Sequence, residues 1–270
     1  MLLKRSVTAV LLALFAHSSA GAHVQIFLPE IFPSPAGPGA LVQLDIRFVA
    51  HAMDNGPILP MQAPESVGVM VNGQKIPLNE SLRRIDPEGP TRYQAEHNIE
   101  QPSAHVFFLQ PAPYWDAKEG VMITHYSKVT INSCAAKLPT ESSLGWENWE
   151  GWDVRVGFPV EIEPLVQPTA LWTGSLFRGI VLYDGEPAPF ARVEVEYYDR
   201  KKKVKLPSNA FKTQILKTDA SGVFSFVPVR EGWWALSAIR QSDSTIEAPD
   251  GQQVPHEQGG VFWIEVTDMP

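Results

Sequence analysis

The sequence has almost no cysteine: Cys134 is the single one among 270 residues. One thiol excludes an intramolecular disulfide framework, and it also excludes a metal site built from several cysteines. Cys134 has no adjacent general base in the sequence, so we interpret it as a small structural thiol. The fold must therefore depend on a hydrophobic core, for which a content of 44% hydrophobic residues is sufficient.

Basic residues are scarce relative to acidic ones. The chain has 22 Lys and Arg against 30 Asp and Glu, which gives a formal net charge of −8. Proteins that bind nucleic acid usually carry a basic surface that neutralises phosphates, so this balance argues against DNA or RNA as a partner. The basic run at residues 200–203 is accordingly interpreted as a solvated loop between strands.

Several motifs of enzymes are absent. The sequence has no G-x-S-x-G nucleophile elbow, no phosphate-binding glycine loop, no H-E-x-x-H and no C-x-x-C. No hydrophobic run reaches the roughly 20 residues that a membrane-spanning helix requires. We therefore expect a protein that is not an enzyme and has no membrane anchor of its own.

The N-terminal residues have the pattern of an export signal. Two basic residues precede an apolar segment at residues 7–16, and small residues follow at 20–22. This pattern predicts a signal peptide over residues 1–22 that is removed on export to the periplasm. Cleavage would make His23 the first residue, so that its α-amino group and its imidazole Nδ1 become available to chelate one metal ion.

The remaining sequence alternates between polar and apolar residues, as strands do. Residues 41–51 and 121–131 follow this period of two, and residues 66–76 form two such runs around Asn72–Gly73, which predicts a hairpin. The 24 prolines and 19 glycines suit short strands and turns. We predict an all-β fold without a helix of convincing length.

Two β-sandwich domains are predicted, a metal-binding domain over residues 23–168 and a second domain over residues 169–270. The boundary is predicted near residue 168, because the segment 161–168 contains two prolines, Pro164 and Pro168, which cannot donate to a sheet. In the second half, the pattern G-x-V, G-x-P, A-x-V-x-V and T-D-x-x-G-x-F-x-F resembles transthyretin-like, or carboxypeptidase-regulatory, β-sandwiches.

Two further histidines stand out as candidate metal ligands. His51 ends a strand on its polar face, where side chains become available to a ligand. His125 shares a strand face with aliphatic residues, so both ring nitrogens must be satisfied by hydrogen bonds or by a metal ion. With His23 they offer one amine and three imidazoles, which suit Ni²⁺, Co²⁺, Cu²⁺ or Zn²⁺ but not Ca²⁺ or Mg²⁺.

Other residues are interpreted as structural. Met53 and Met61 follow His51 and offer thioethers, although methionines in loops usually serve packing. The histidines without a suggestive context are interpreted as surface or structural residues: His97, His105 and His256.

The chain resembles the periplasmic component of cobalt/nickel uptake systems of the ABC or energy-coupling-factor type. Among the matching segments, the discriminating ones contain Pro-Tyr-Trp and Ile-Thr-His-Tyr-Ser-Lys. The segments that carry the resemblance are His23 and residues 48–51, 111–115, 123–128, 161–165, 171–179, 193–198, 218–224 and 232–234. The resemblance implies a soluble protein that captures Ni²⁺ or Co²⁺, with His23, His51 and His125 at the site, and presents the ion to an inner-membrane permease.

Two alternatives remain at the level of sequence. An N-terminal histidine with a second histidine is the ligand pattern of copper oxidases that cleave polysaccharides, which would make the protein an enzyme. The aromatic run containing Trp146, Trp149 and Trp152 is interpreted as a cap on the edge of the sandwich, but it also suits a metal-free module that binds carbohydrate or another protein.

Overall fold

The computed structural model describes residues 23–30, 39–53, 56–85, 87–133 and 150–270. The predicted signal peptide, Cys134, Trp146 and Trp149 lie outside these residues. Within the described residues the regular structure is β-strand, apart from two single-turn 3₁₀ helices at Asn79–Ser81 and Asn209–Phe211. No helix in this part of the chain has both the length and the apolar character needed to cross a bilayer.

The strands are numbered in chain order. They are β1 Val24–Pro29, β2 Leu41–Val49, β3 Ile58–Leu59, β4 Ser66–Val71, β5 Gln74–Pro77, β6 Arg83–Ile85, β7 Arg92–Asn98, β8 Ala104–Gln110, β9 Tyr114–Asp116, β10 Val121–Asn132, β11 Val160–Pro164, β12 Leu171–Trp172, β13 Phe177–Tyr183, β14 Glu186–Pro187, β15 Arg192–Tyr197, β16 Gln214–Lys217, β17 Val223–Phe226, β18 Gly232–Glu247 and β19 Gln253–Thr267.

These strands form three sheets. The first sheet has the order β1-β2-β7-β6, with β3 beside β2. The second sheet has ten strands in the order β16-β15-β18-β19-β10-β8-β4-β5, with β12 beside β19 and β9 beside β10. The third sheet has the order β11-β13-β14, with β17 beside β13. The prediction of an all-β, sandwich-type fold is therefore confirmed.

The second sheet is buried on both faces around β19. Val261 and Trp263 belong to the hydrophobic core formed with the first sheet. Their neighbours Phe262 and Ile264 belong to the core formed with the third sheet. Because successive side chains of a strand point to opposite faces, the first and third sheets cover opposite sides of β19.

The local predictions agree with the structure. The predicted hairpin is formed by β4 and β5, and its turn residues Asn72 and Gly73 both have positive φ, at 49° and 73°. The run at 41–51 forms β2, and the basic run at 200–203 is exposed in the loop between β15 and β16. The domain boundary near residue 168 stays a prediction; β10 and β19, which come from the two sides of it, pair directly in parallel.

Candidate metal centre

His23 and His51 lie at the same end of the first sheet. β1 begins directly after His23, and β2 ends two residues before His51. The two strands are antiparallel with Val24 opposite Val49, so the chain enters β1 and leaves β2 side by side. The side chains of His23 and His51 keep exposed fractions of 16% and 27%. Strand register alone therefore brings these two predicted ligands together.

His125 belongs to the second sheet and is almost fully buried, with 2% of its surface exposed. It lies in β10 opposite Gly259 of β19. A Cβ atom at position 259 would lie 2.5 Å from Cδ2 of His125, so the ring occupies space that only a glycine leaves open. Neither Nδ1 nor Nε2 of His125 has a hydrogen-bond partner among the described residues. An unsatisfied buried polar group costs about 1–3 kcal/mol, so this ring requires a physical explanation.

Aromatic side chains connect the histidines of the two sheets. The ring of Phe48 stacks on His23 with 5.7 Å between centroids and meets His125 edge-on at 5.8 Å. Tyr114 lies 5.8 Å from the His23 ring and 4.9 Å from Phe48. We call His23, His51 and His125 the histidine cluster.

Burial lowers the pKa of His23 and so favours its neutral imidazole. The carboxylate of Asp116 acts against this shift, and positive charge on His125 or His51 adds to it. The three histidines are thus close enough for charge on one to affect another. A neutral imidazole is also the form that binds metal ions.

Each histidine of the cluster faces a carboxylate. The nitrogen–oxygen distances are 3.6 Å from His23 Nδ1 to Asp116 Oδ2, 3.6 Å from His51 Nδ1 to Glu196 Oε1 and 3.7 Å from His125 Nε2 to Glu257 Oε1. A carboxylate behind an imidazole is the usual partner that orients a metal-ligating histidine and raises its basicity. The pattern fits His51 and His125, whose other ring nitrogens, Nε2 and Nδ1, would bind the metal ion. At His23 the carboxylate faces Nδ1, the nitrogen proposed to chelate the metal ion with the α-amino group, so Asp116 is not an orienting partner of this kind.

Two of these carboxylates are held in place by backbone groups. The amide of Ala52 donates to Oε2 of Glu196 at 2.8 Å, and Glu196 is only 4% exposed. The amides of Lys118 and Glu119 donate to Oδ1 of Asp116 at 2.9 and 3.1 Å. Fixed acceptors of this kind limit the orientations of the imidazoles that face them.

Sequence reasoning missed all three carboxylates. Glu196 occurs in an alternating strand where acids look like ordinary solvent-facing residues, and Glu257 lies more than 100 positions from His125 in the sequence. The pairing of β19 with β10 brings Glu257 to His125, because residue 257 is then two positions from Gly259 on the same face. Asp116 had a usable signal, since it directly follows the Pro-Tyr-Trp segment.

The donors are not arranged as a finished ligand set. Within the described ranges, no three His, Cys, Asp or Glu side chains are already placed to hold one metal ion. The α-amino group of His23 is not a side chain, and it would become a donor only after removal of residues 1–22. Metal ligation by the cluster therefore stays a prediction, and it requires a change in the placement of these side chains.

The other histidines have partners within the fold. The Nδ1 atom of His105 lies 3.0 Å from the carbonyl oxygen of Ser103, and Nε2 of His256 lies 2.9 Å from the hydroxyl of Thr124. The His97 ring packs against His105 with 5.5 Å between centroids. These contacts give each of them a packing or hydrogen-bonding role in the fold.

The remaining sequence candidates lie in different surroundings. Met53 is buried, whereas Met61 lines a cavity beside His125. Of the aromatic run, only Trp152 is described, and it is half-buried. The role of this run stays a prediction.

Fold and site together define an all-β protein with a histidine cluster between two facing sheets. The chain belongs to the family described as a domain of unknown function, DUF4198, whose model matches residues 20–242. No protein with curated annotation matches it significantly.

Solved structures resemble the chain only weakly. Latent PorU from Porphyromonas gingivalis is 10% identical over 91% of this chain, with a TM-score of 0.23, and the chain spans 20% of its length. Fibronectin(III)-like modules of CbhA from Clostridium thermocellum are 9% identical, with 90% of this chain and 94% of theirs covered and a TM-score of 0.20. Trypsin-activated alpha-2-macroglobulin from Escherichia coli is 13% identical, with 88% and 16% covered and a TM-score of 0.22. Similarities this weak carry no argument about function.

Proposed function

We propose that the protein binds one Ni²⁺ or Co²⁺ ion at His23, His51 and His125 in the periplasm and delivers it to an inner-membrane uptake permease. The observation that carries this proposal is His125, whose two ring nitrogens are buried without a hydrogen-bond partner among the described residues. A coordinated metal ion would satisfy one of them, and Glu257 at 3.7 Å would be a carboxylate partner for the imidazole.

The donor chemistry supports a transition metal. Imidazole and amine nitrogens are borderline donors that suit Ni²⁺, Co²⁺, Cu²⁺ and Zn²⁺, whereas Ca²⁺ and Mg²⁺ prefer oxygen ligands. The ion is cargo in this proposal, so the protein binds and releases it without chemical conversion. The resemblance to cobalt/nickel uptake components selects Ni²⁺ and Co²⁺ from this group.

Adding one glycine before His23 is expected to lower the affinity for Ni²⁺ by at least the ~10–100-fold that loss of an outer-shell partner of a ligand typically costs, because the added peptide bond removes the α-amino donor from the chelate ring. The comparison uses a protein that begins at His23 and the same protein with the extra residue, both titrated with NiCl₂ by calorimetry. His125→Phe tests the buried ligand, and His97→Gln, outside the cluster, is the matched control.

Equal affinities for the two N-terminal forms would contradict ligation by the amine. Loss of binding in His97→Gln would place the metal outside the histidine cluster. Thermal unfolding of each variant checks that a lost affinity does not reflect a lost fold. Copper-dependent cleavage of a polysaccharide in the presence of peroxide would replace the proposed transport role with the oxidative enzyme.

The affinity for Ni²⁺ is expected to fall as the pH decreases. The α-amino group has a reference pKa of roughly 7.7–8.0, so protons compete for it and binding should weaken about tenfold between about pH 8.5 and 6.5. The α-amino group has a higher reference pKa than an imidazole, whose value is about 6.5, so we expect the amine to contribute most of the slope over this interval. A flat profile over this interval would exclude the amine as a ligand.

A further inference from the structure

An apolar cavity adjoins the histidine cluster. It has a volume of about 290 Å³ and lies between the first sheet and the β9–β10 edge of the second sheet. His125 lines it directly, and Phe48 and Tyr114, which pack on His23, form part of its wall. A volume of this size is close to the lower end of small-molecule sites, ~300–1,000 Å³. A ligand in the cavity would therefore touch the side chains that surround the proposed metal ion.

The wall of the cavity contains a segment that has no role in binding the proposed metal ion. Residues 111–115, the Pro-Tyr-Trp segment of the sequence analysis, all line it. Pro60, Met61 and Gln62 face this segment from the loop after β3. Coordination by the three histidines requires none of these residues. The proposed metal site therefore does not explain why the pocket is present.

The chemistry of the wall selects the ligand. The lining residues include aromatic rings, prolines, Met61 and two glutamines, and none of them is Lys, Arg, Asp or Glu. Flat aromatic groups stack on such rings with an attraction of about 0.5–1.5 kcal/mol beyond the area that they bury. A free carboxylate or phosphate would find no opposite charge in the wall. The preferred occupant is a compact, uncharged aromatic group.

We propose that this cavity holds the organic part of a metal complex, so that the cargo is Ni²⁺ or Co²⁺ bound to a small bidentate chelator with a flat aromatic ring. This inference rests on the proposed function and specifies its substrate class. The amine and three imidazoles supply four nitrogens, which leaves two positions of an octahedral ion for a second ligand. The cavity beside His125 receives the body of that ligand.

Two matched chelators test the inference. 2,2′-Bipyridine and ethylenediamine both bind Ni²⁺ through two neutral nitrogens, and only bipyridine carries aromatic rings. Equilibrium dialysis of the protein that begins at His23 measures the affinity for each equimolar nickel complex, for NiCl₂ alone and for bipyridine without metal. We expect the bipyridine complex to bind about tenfold more tightly than the ethylenediamine complex, because only its rings bury apolar area in the cavity.

A variant that fills the cavity should remove this preference. Ala112 lines the cavity, and in Ala112→Phe the ratio of the two affinities is expected to fall to about one. Ala117→Phe is the matched control, because Ala117 is exposed in the turn after β9 and is not among the lining residues. The control should keep the preference of the original protein.

The outcomes separate the two proposals. If NiCl₂ and both complexes fail to bind, the proposed function fails. If nickel binds but the two complexes bind equally, or if bipyridine only strips the metal from the protein, the inference fails and metal binding stands. If Ala112→Phe and Ala117→Phe keep the same preference, the rings bind elsewhere and the inference is likewise overturned.

Discussion

Replacing Lys128 with methionine is expected to lower the free energy of unfolding by about 3–5 kcal/mol, because it leaves a buried carboxylate without its counter-ion. Nζ of Lys128 lies 2.6 Å from Oε1 of Glu161, and the two residues are 2% and 3% exposed. The pair joins β10 of the second sheet to β11 of the third. Its loss therefore weakens the contact between these two sheets.

The carboxylate of Glu161 has further fixed partners. The amides of Val156 and Gly157 donate to it at 2.8 and 2.9 Å. Burial opposes its ionisation, but Lys128 and these amides outweigh burial and lower the pKa of Glu161. In Lys128→Met the amides remain, and they cannot supply the missing positive charge.

Urea denaturation of Lys128→Met measures this effect. Lys118→Met is the matched control, since the Lys118 side chain is 85% exposed and its loss should cost at most about 0.5 kcal/mol. The double variant Lys128→Met with Glu161→Gln should recover part of the stability, because no buried charge is then left unpaired. Equal unfolding free energies for the two single variants would contradict the expected cost.

Acidification is expected to destabilise the fold by about 2 kcal/mol between roughly pH 7 and 5 through His105 alone. Burial lowers the pKa of His105 from 6.5 to about 4. The unfolded chain therefore takes up a proton at a pH where the folded protein does not. This contribution to stability is complete above the unfolded pKa and is lost as the pH falls towards the folded value. The lowered pKa values of His23, His97 and His256 act in the same direction.

His105→Phe should flatten the pH dependence of stability in this interval. The carbonyl oxygen of Ser103 keeps a donor in this variant, because the hydroxyl of Ser133 also donates to it at 3.0 Å. Urea midpoints at several pH values, measured for both proteins, give the two slopes. Identical slopes would show that His105 does not take up the proton.

The local structure could be predicted from the sequence, because its causes are local. The alternation of polar and apolar residues predicts the strands. Asn72–Gly73 predicts a hairpin, because both residues readily adopt the positive φ that the turn requires. His23 and His51 flank the strands β1 and β2, which needed only to pair in antiparallel fashion to bring them together. His125 could be identified from the sequence because it is a polar residue on an otherwise apolar strand face.

The long-range features could not be predicted, because they depend on which strands pair. Nothing in the sequence near His125 indicates that β10 lies beside β19, so the approach of Glu257 and the need for Gly259 appear only in the structure. The cavity has the same origin, since its wall combines segments from both facing sheets.

The position of β19 also has a consequence for the order of folding. Trp263 completes the core under the first sheet, although it lies 237 positions after Ile26 of the same core. Because β19 contributes residues to both cores, neither core is complete until β19 has been synthesised, and contacts across such distances form slowly. We therefore expect both cores to be completed at the same late step of folding, when β19 is placed between the first and third sheets.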